Sequence, residues 1–291
     1  MKCLAQYSSQ WEDIHLPTPS CIPWTQLVLL DPPSLHLPSL RSLIVDCQPD
    51  EHTLACILDM FKHMPKLKSF EFHLNGTPSD FDPKIIPVLW QQLTHLAMSL
   101  GESQDAGCWL ESSVRVLRLC PNLETLSDGT GFQPYPEPTP VSLPRLRSLR
   151  ASYPLLLNYL ICPALEHLEA PPPYDMFFAV WRLSQFTTHS GCQILSIKLN
   201  MEGYDRNTDI VLLNVLTSDN TNLTLPDLNV LELKTKELFT GEALSEELDE
   251  ALVRTIDSRW NISRGSPVAP LRQVHIKCSK AGIRGDTDTQ K

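Results

Sequence analysis

Nucleophilic and metal-binding side chains are numerous in this chain, but they are scattered rather than grouped. The nine cysteines lie at positions 3, 21, 47, 56, 108, 120, 162, 192 and 278, without a C-x-x-C pair, and the nine histidines are spread singly. A zinc site needs ligands at short, set spacings, and a thiol nucleophile needs a neighbouring base. We therefore predict no catalytic residue, no metal site and no cofactor. The odd count of cysteines favours free thiols in a reducing compartment.

Phosphate-binding and hydrolase motifs are also missing from the sequence. It contains no G-x-S-x-G elbow, no P-loop, no H-E-x-x-H and no Rossmann fingerprint. Gly129-Thr130-Gly131 is too short to be a phosphate loop, and a proline-rich stretch follows it at residues 133–140. An enzyme with an unrecognised site is therefore the least favoured hypothesis.

The charge balance and the hydropathy pattern narrow the choice of partner and compartment. The formal net charge is −10, so the chain gains little from neutralising nucleic-acid phosphates or anionic lipid headgroups. Met1 and Lys2 lead into a polar stretch rather than a signal peptide, and no apolar run is long enough to cross a membrane. We expect no nucleic-acid partner, no membrane partner and a cytoplasmic or nuclear location.

A short phrase recurs along the chain and defines the elements that position these side chains. It consists of an apolar residue, two variable residues, an apolar residue, one variable residue and an apolar residue, often after a proline. Residues 225–233, LPDLNVLEL, form the clearest copy. Copies begin at Trp24, Leu40, Leu67, Leu93, Leu123, Leu146, Leu165, Ile194, Leu228 and Leu271. Most intervals are close to the roughly 20–29 residues of a leucine-rich repeat.

One such unit cannot bury enough apolar surface to offset its conformational entropy, so neighbouring units must stack. Helices are predicted between several strands, at residues 50–62, 108–119, 175–186, 209–216 and 244–260. The predicted fold class is α/β: a leucine-rich-repeat solenoid, a ribonuclease-inhibitor-like horseshoe with a parallel inner sheet and irregular outer helices. Residues 21–278 form the repeat domain, 1–20 a poorly defined N-terminal extension, and 279–291 a disordered polar tail.

Strand side chains alternate between two faces, so the residues beside the buried positions should line the concave face. The bland interpretation is that these are merely solvated strand positions. As a row, they favour a protein-binding or peptide-binding surface, by analogy with other proteins of this architecture. The predicted binding residues are Glu71, His73, His95, Arg150, His167, Glu169, Lys198, Asn200, Glu232, Lys234, His275 and Lys277.

Several phrases also resemble a known family. Pro23-Trp24-Thr25-Gln26-Leu27 and residues 89–96, LWQQLTHL, resemble a phrase of the F-box/leucine-rich-repeat proteins of basidiomycete (mushroom-forming) fungi. The LPSLRSL-type copies at 37–43 and 143–149 are similar, and Ile256-Asp257-Ser258-Arg259-Trp260 resembles the closing helix of that family. The resemblance covers roughly residues 20–278 and concerns the repeat region only.

In that family an N-terminal F-box binds the Skp-type adaptor of a cullin ubiquitin ligase, and the repeats select the substrate. The resemblance therefore implies a non-catalytic, protein-binding module for substrate recognition. Too few residues precede the first predicted repeat to hold an F-box, so we expect it to be missing and the adaptor to bind only if an F-box exists upstream. The alternative is a stand-alone leucine-rich-repeat scaffold with no ubiquitin role.

Overall fold

The computed structural model describes residues 7–17, 37–46, 59, 64–74, 88–100, 107–129, 139–152, 154–170, 183, 185–200, 213–214, 216–217, 225–236, 246–262 and 268–279. The chain divides into two compact units. The first comprises Met1–Leu168 and Arg182–Gln193, and the second comprises Glu169–Trp181 and Ile194–Lys291.

Ten strands form one sheet in which the paired strands are parallel. In sheet order they are β1 (Asp13–Pro17), β2 (Ser42–Asp46), β3 (Ser69–Leu74), β4 (His95–Leu100), β5 (Thr125–Asp128), β7 (Ser148–Ala151), β9 (His167–Ala170), β10 (Ser196–Asn200), β11 (Val230–Lys236) and β12 (Gln273–Ser279). A second, two-stranded sheet pairs β6 (Val141–Ser142) with β8 (Leu160–Ile161). The order in the large sheet is the order in the chain, as expected when each repeat adds one strand beside the previous one.

A tight turn precedes most strands of the large sheet, and six of these turns carry proline at their second position. In the turn before β11, the Leu228 N–H donates to the Leu225 carbonyl at 3.3 Å, with Pro226 at the second position. Proline favours that position because its fixed φ suits a type I or type II turn. The same bond, from the N–H of the fourth turn residue to the carbonyl of the first, recurs at Leu40, Leu67, Leu93, Leu123, Leu146 and Leu165. The turn thus delivers the first apolar residue of each phrase to the core.

One backbone contact repeats at the same place in the phrase and fixes the register between copies. The carbonyl of the residue after the first apolar position accepts two consecutive N–H groups from the next copy. Asn229 O, for example, accepts from Arg272 N at 2.7 Å and from Gln273 N at 3.2 Å. The equivalent carbonyls are those of Glu12, Arg41, Lys68, Thr94, Glu124, Arg147 and Leu195. Because register decides which face each side chain takes, the apolar positions of paired strands fall in line.

The core is built from these aligned apolar positions. The second position runs in register from Leu43 through Phe70 and Leu96 to Leu126 and Leu149, and all five side chains are buried. Two side chains at the third position depart from the pattern. Asp128 is a carboxylate that is only 1% exposed, and Ile276 is an apolar side chain that is 46% exposed.

The first strand lies where the sequence analysis expected an undefined extension. β1 pairs directly with β2, with Ile14 opposite Leu43 and Leu16 opposite Val45. Trp11, Ile14 and Leu16 have the spacing of the phrase, so a copy begins at Trp11 that the sequence analysis missed. The copy predicted at residues 24–29 lies outside the described residues, and no strand lies between β1 and β2.

Two helices have described bounds, and both were predicted. α1 (Gly107–Arg118) buries Val114, Val116 and Leu117, and α2 (Glu246–Trp260) follows β11 in the chain. The other three predicted helices fall mainly outside the described residues, although residues 185–190 are helical. No helix within the described parts of the chain is long and apolar enough to cross a membrane.

In the described part of α2, the buried face is not formed by the large aliphatic side chains. Ala251, Thr255 and Arg259 are buried, whereas Leu252 and Ile256 are only half-buried. The Arg259 guanidinium donates to the Leu216 carbonyl at 2.7 Å and to the Leu225 carbonyl at 3.0 Å. These hydrogen bonds to carbonyls of other segments therefore set the orientation of the helix, and an apolar stripe does not predict them.

Candidate functional site

The predicted binding residues all lie on strands of the large sheet. Their side chains are far apart in some parts of the sheet and close together in others. In the first unit, Glu71 and His73 are neighbours on the same face of β3, with Oε1 and Nε2 3.4 Å apart. His95 is exposed, and its Nδ1 lies 2.8 Å from the Thr94 hydroxyl. A small cluster therefore forms on β3, and His95 lies one strand away on β4.

Arg150 and His167 lie apart from that cluster. In the register, Ala97 and Ser127 separate Glu71 from Arg150, so three strand spacings of about 4.8 Å lie between the two residues. Arg150 is exposed, and His167 lies 3.9 Å from the Glu166 carboxylate with a 55% exposed side chain. The middle of this face carries small side chains, so these charges do not form one compact site.

The second unit brings the predicted residues much closer together. The Lys198 ammonium lies 2.9 Å from the Glu169 carboxylate, and the Lys277 ammonium donates to Glu232 Oε1 at 2.6 Å. Lys198 is opposite Glu232 in the register, and Glu232 is opposite His275. Four side chains of alternating charge, Glu169, Lys198, Glu232 and Lys277, thus form what we call the charged cluster.

The next row of the same face is more cationic. Asn200 is opposite Lys234, and Lys234 is opposite Lys277, so two lysines occupy neighbouring strands. Lys234 is half-buried and Lys277 is exposed. Like charges on adjacent strands repel each other, and the Glu232 carboxylate, which accepts from Lys277, offsets part of that repulsion.

The electrostatics of the cluster centre on Glu232. The hydrogen bond from Lys277 holds the pKa of the Glu232 carboxyl below its usual range, and the positive charges of Lys277, Lys198 and His275 lower it further. Burial acts in the opposite direction but does not prevail. Glu232 is therefore ionised throughout the neutral range and holds Lys277 against the face of the sheet.

Three of the cysteines, Cys120, Cys162 and Cys192, have thiols that are poorly ionised at neutral pH. Burial raises the pKa of Cys120 and of Cys162 to about 12 and that of Cys192 to about 11. Because the thiolate is the nucleophile, these thiols are unreactive at neutral pH. Within the described ranges, no three or more His, Cys, Asp or Glu side chains are grouped closely enough to hold a metal ion.

A groove in the first unit was not predicted. It encloses about 610 Å³ beside the 3-10 helix Trp90–Gln92 and is lined by Val88, Leu89, Trp90, Gln91, Gln92, Leu119 and Asn122. The Asn122 amide donates to the Gln91 carbonyl at 2.8 Å. None of the seven lining residues is ionisable in the physiological range, so the groove has no acid, base or nucleophile for catalysis.

Sequence reasoning also missed two buried charged residues. Asp128 occupies a position that the phrase reserves for an apolar residue, and this departure was the available signal. Arg259 lies in the last turn of α2, where a cation suits the helix macrodipole, and its side chain is fully buried. The sequence offered no signal for that burial, because the carbonyls that require the guanidinium belong to distant segments.

Comparison with known proteins does not assign the chain to a class. No known protein family matches it, and neither do the curated proteins or the solved structures.

Proposed function

We propose that this chain is a non-catalytic protein-binding module with the fold of a leucine-rich-repeat solenoid. The observation that carries the proposal is the register of β10, β11 and β12, which lines up outward charged side chains from consecutive copies of the phrase. A parallel sheet with one strand per copy suits a horseshoe of the ribonuclease-inhibitor type, whose inner face would carry these side chains. Such a face fits a protein or peptide better than a small molecule, because it is a row rather than an enclosed cavity.

The binding role has support from charge as well as from placement. Ion pairs at an exposed surface contribute little to stability, about 0–1 kcal/mol. The stabilising energy of the Glu169–Lys198 and Glu232–Lys277 ion pairs therefore does not explain why four charged side chains lie on one face. Fixed charges of alternating sign instead favour specificity, since a partner must present the complementary order.

The finer proposal is that the module selects substrates for a cullin-type ubiquitin ligase, as the resemblance to F-box/leucine-rich-repeat proteins implies. It predicts that a Skp-type adaptor co-purifies with the chain when an F-box precedes it. A defined partner whose level does not change under proteasome inhibition would favour the alternative, a stand-alone scaffold with no ubiquitin role. The sequence phrases that resemble F-box/leucine-rich-repeat proteins support the ubiquitin-ligase proposal over the stand-alone scaffold.

Site-specific photo-crosslinking tests the binding face. A photoreactive amino acid is placed at Arg150 or at His275, two exposed positions on the proposed face, in the full chain expressed in cells. Matched control positions are Arg115 on α1 and Asp257 on α2, which are equally exposed on helices. We expect the face positions to capture the same discrete protein and the helix positions not to capture it.

Charge variants connect any captured protein to the cluster. Reversing Lys198 and Lys277 together to Glu should reduce the crosslink from His275 at least tenfold, because two attractive contacts become repulsive. Crosslinks that form only from the helix positions, or that persist unchanged in the reversed variant, would refute binding at this face.

A further inference from the structure

The last strand of the sheet has one backbone edge that no other described strand pairs with. β12 pairs with β11 over seven residues, from Gln273 to Ser279, and it ends the sheet order. None of the described strands lies on its other side. An exposed edge strand offers a row of N–H and C=O groups to another extended chain.

The register identifies which backbone groups point outward. The Gln273 N–H donates to Asn229 O on the β11 side of the strand. Because the N–H and C=O of one strand residue point the same way and alternate along the strand, His275 and Lys277 also bond toward β11. Val274, Ile276 and Cys278 therefore direct their N–H and C=O groups to the open edge.

The side chains around that edge define the chemistry of an occupant. Ile276 is 46% exposed, although equivalent positions in other copies are buried. On the opposite face of the strand, His275 and Lys277 are exposed, and Lys234 lies beside Lys277 in the register. An added strand would thus meet an apolar side chain on one face and, on the other, His275 and Lys277, whose ammonium also donates to Glu232.

A second copy of this chain fits the edge poorly. Two β12 strands that pair antiparallel over their full length about Ile276 would place His275 of one copy opposite Lys277 of the other. Such cross-strand pairs of like charge are destabilising whenever the histidine is protonated.

We propose that the open edge of β12 binds an extended acidic peptide segment of a partner protein, which adds a strand to the sheet. The segment alternates Asp or Glu with Val, Ile or Leu: the acids face His275 and Lys277, and the apolar residues cover Ile276. Backbone hydrogen bonds to the outward groups give affinity, and the alternating side chains give specificity. The site shares His275 and Lys277 with the proposed binding face, and it goes beyond the proposed function because it also uses the backbone edge of β12.

The direct test is fluorescence anisotropy with the full chain and a labelled heptapeptide, Glu-Val-Glu-Ile-Glu-Val-Glu, blocked at both ends. We expect saturable binding that weakens as salt is raised. Two control peptides probe the chemistry: one replaces every Glu with Lys, and one carries N-methyl groups on alternate amides and so cannot pair as a strand. Both should bind at least tenfold more weakly.

Variants of the protein locate the site on β12. Val274→Pro removes one outward N–H and leaves the bonds to β11 in place, since proline is tolerated at an edge strand. Val274→Ala is its matched control and loses bulk without losing the donor. We expect the proline variant to bind the peptide at least tenfold more weakly than the alanine variant, and Lys277→Glu to weaken binding similarly.

Several results would overturn the proposal. The proposal fails if the N-methylated peptide or the Lys peptide binds the unmodified protein as tightly as the acidic peptide. This test does not depend on whether the proline variant folds. Concentration-dependent dimers in sedimentation that Val274→Pro abolishes would assign the edge to a second copy instead. Crosslinking from Arg150 reports on the proposed function separately, because that residue lies in the first unit.

Discussion

Glu232 and Lys277 form a hydrogen-bonded ion pair that sets the charge state of Glu232 and the position of Lys277 on this sheet. Their hydrogen bond closes at 2.6 Å between the two outermost strands of the second unit. The sequence analysis placed both on the outward face from strand alternation alone. It could not foresee that they bond to each other, because that depends on the register of segments that begin 43 residues apart, at Val230 and Gln273.

Removing Lys277 should raise the pKa of Glu232. In Lys277→Met the carboxylate loses its hydrogen bond and its nearest cation, so the pKa moves back toward its usual range, although Lys198 and His275 still lower it. Carboxyl-carbon NMR titration measures the shift directly. Lys234→Met is the control, because Lys234 is not among the groups that lower this pKa. An unchanged titration in Lys277→Met would show that the bond does not form in solution.

The sign of the pH effect follows from that lowered pKa. A carboxyl group whose pKa is lower in the folded state stabilises the fold at pH values above its unfolded pKa. That contribution is lost as the pH falls through the folded pKa, on the acid side of the ordinary Glu range. It is small because the pair is exposed.

For individual strands, the recurring phrase was a good predictor because it specifies both the turn before the strand and the alternation of buried positions within it. Leu225-Pro226 sets the turn, and Leu228, Leu231 and Leu233 set the alternation of buried positions, so pattern and turn chemistry agree. The copy at Trp11 was missed because no proline introduces it. The boundaries of α2 were nearly right, but its buried face depends on hydrogen bonds to other segments.

Arg259 should be the most sensitive side chain of α2. Arg259→Ala removes the donor to the Leu216 carbonyl and the second donor to the Leu225 carbonyl, and it opens a void, so we expect unfolding to require about 2–4 kcal/mol less free energy. Burial lowers the pKa of Arg259 to about 10, so it remains charged at neutral pH. Urea denaturation measures the change.

The matched control is Arg254→Ala, on an exposed position of the same helix. Its contact with the Asn214 side chain is long, at 3.5 Å, so we expect a change within about 0.5 kcal/mol. Arg259→Lys should fall between the two, since one ammonium keeps the charge but lacks the planar fork of donors. Equal stability of Arg259→Ala and Arg254→Ala would contradict a stabilising role for the hydrogen bonds from Arg259 to the Leu216 and Leu225 carbonyls.

At the scale of the whole molecule, strand order follows from the repeats, whereas the grouping of charges does not. Each copy must cover the apolar face of its neighbour, so strands adjacent in the chain become adjacent in the sheet. The charges of the second unit gather because Glu232 and Lys277 lie diagonally on neighbouring strands, in adjacent rows, where their side chains meet. In the first unit, Ala97 and Ser127 occupy the equivalent positions between Glu71 and Arg150, and the predicted residues stay apart.

Spin-label distances within the first unit test most directly whether the copies stack in chain order with their outward residues in one row. Labels attached through an unnatural amino acid at Ser42 and Thr125, or at Ser42 and Ser148, avoid the native cysteines and lie on the outward face. Three and four strand spacings of about 4.8 Å predict backbone separations near 14 Å and 19 Å. The Ser42–Ser148 distance should exceed the Ser42–Thr125 distance by about one strand spacing. Equal distances, or a shorter distance to Ser148, would contradict the stacking on which the binding face depends.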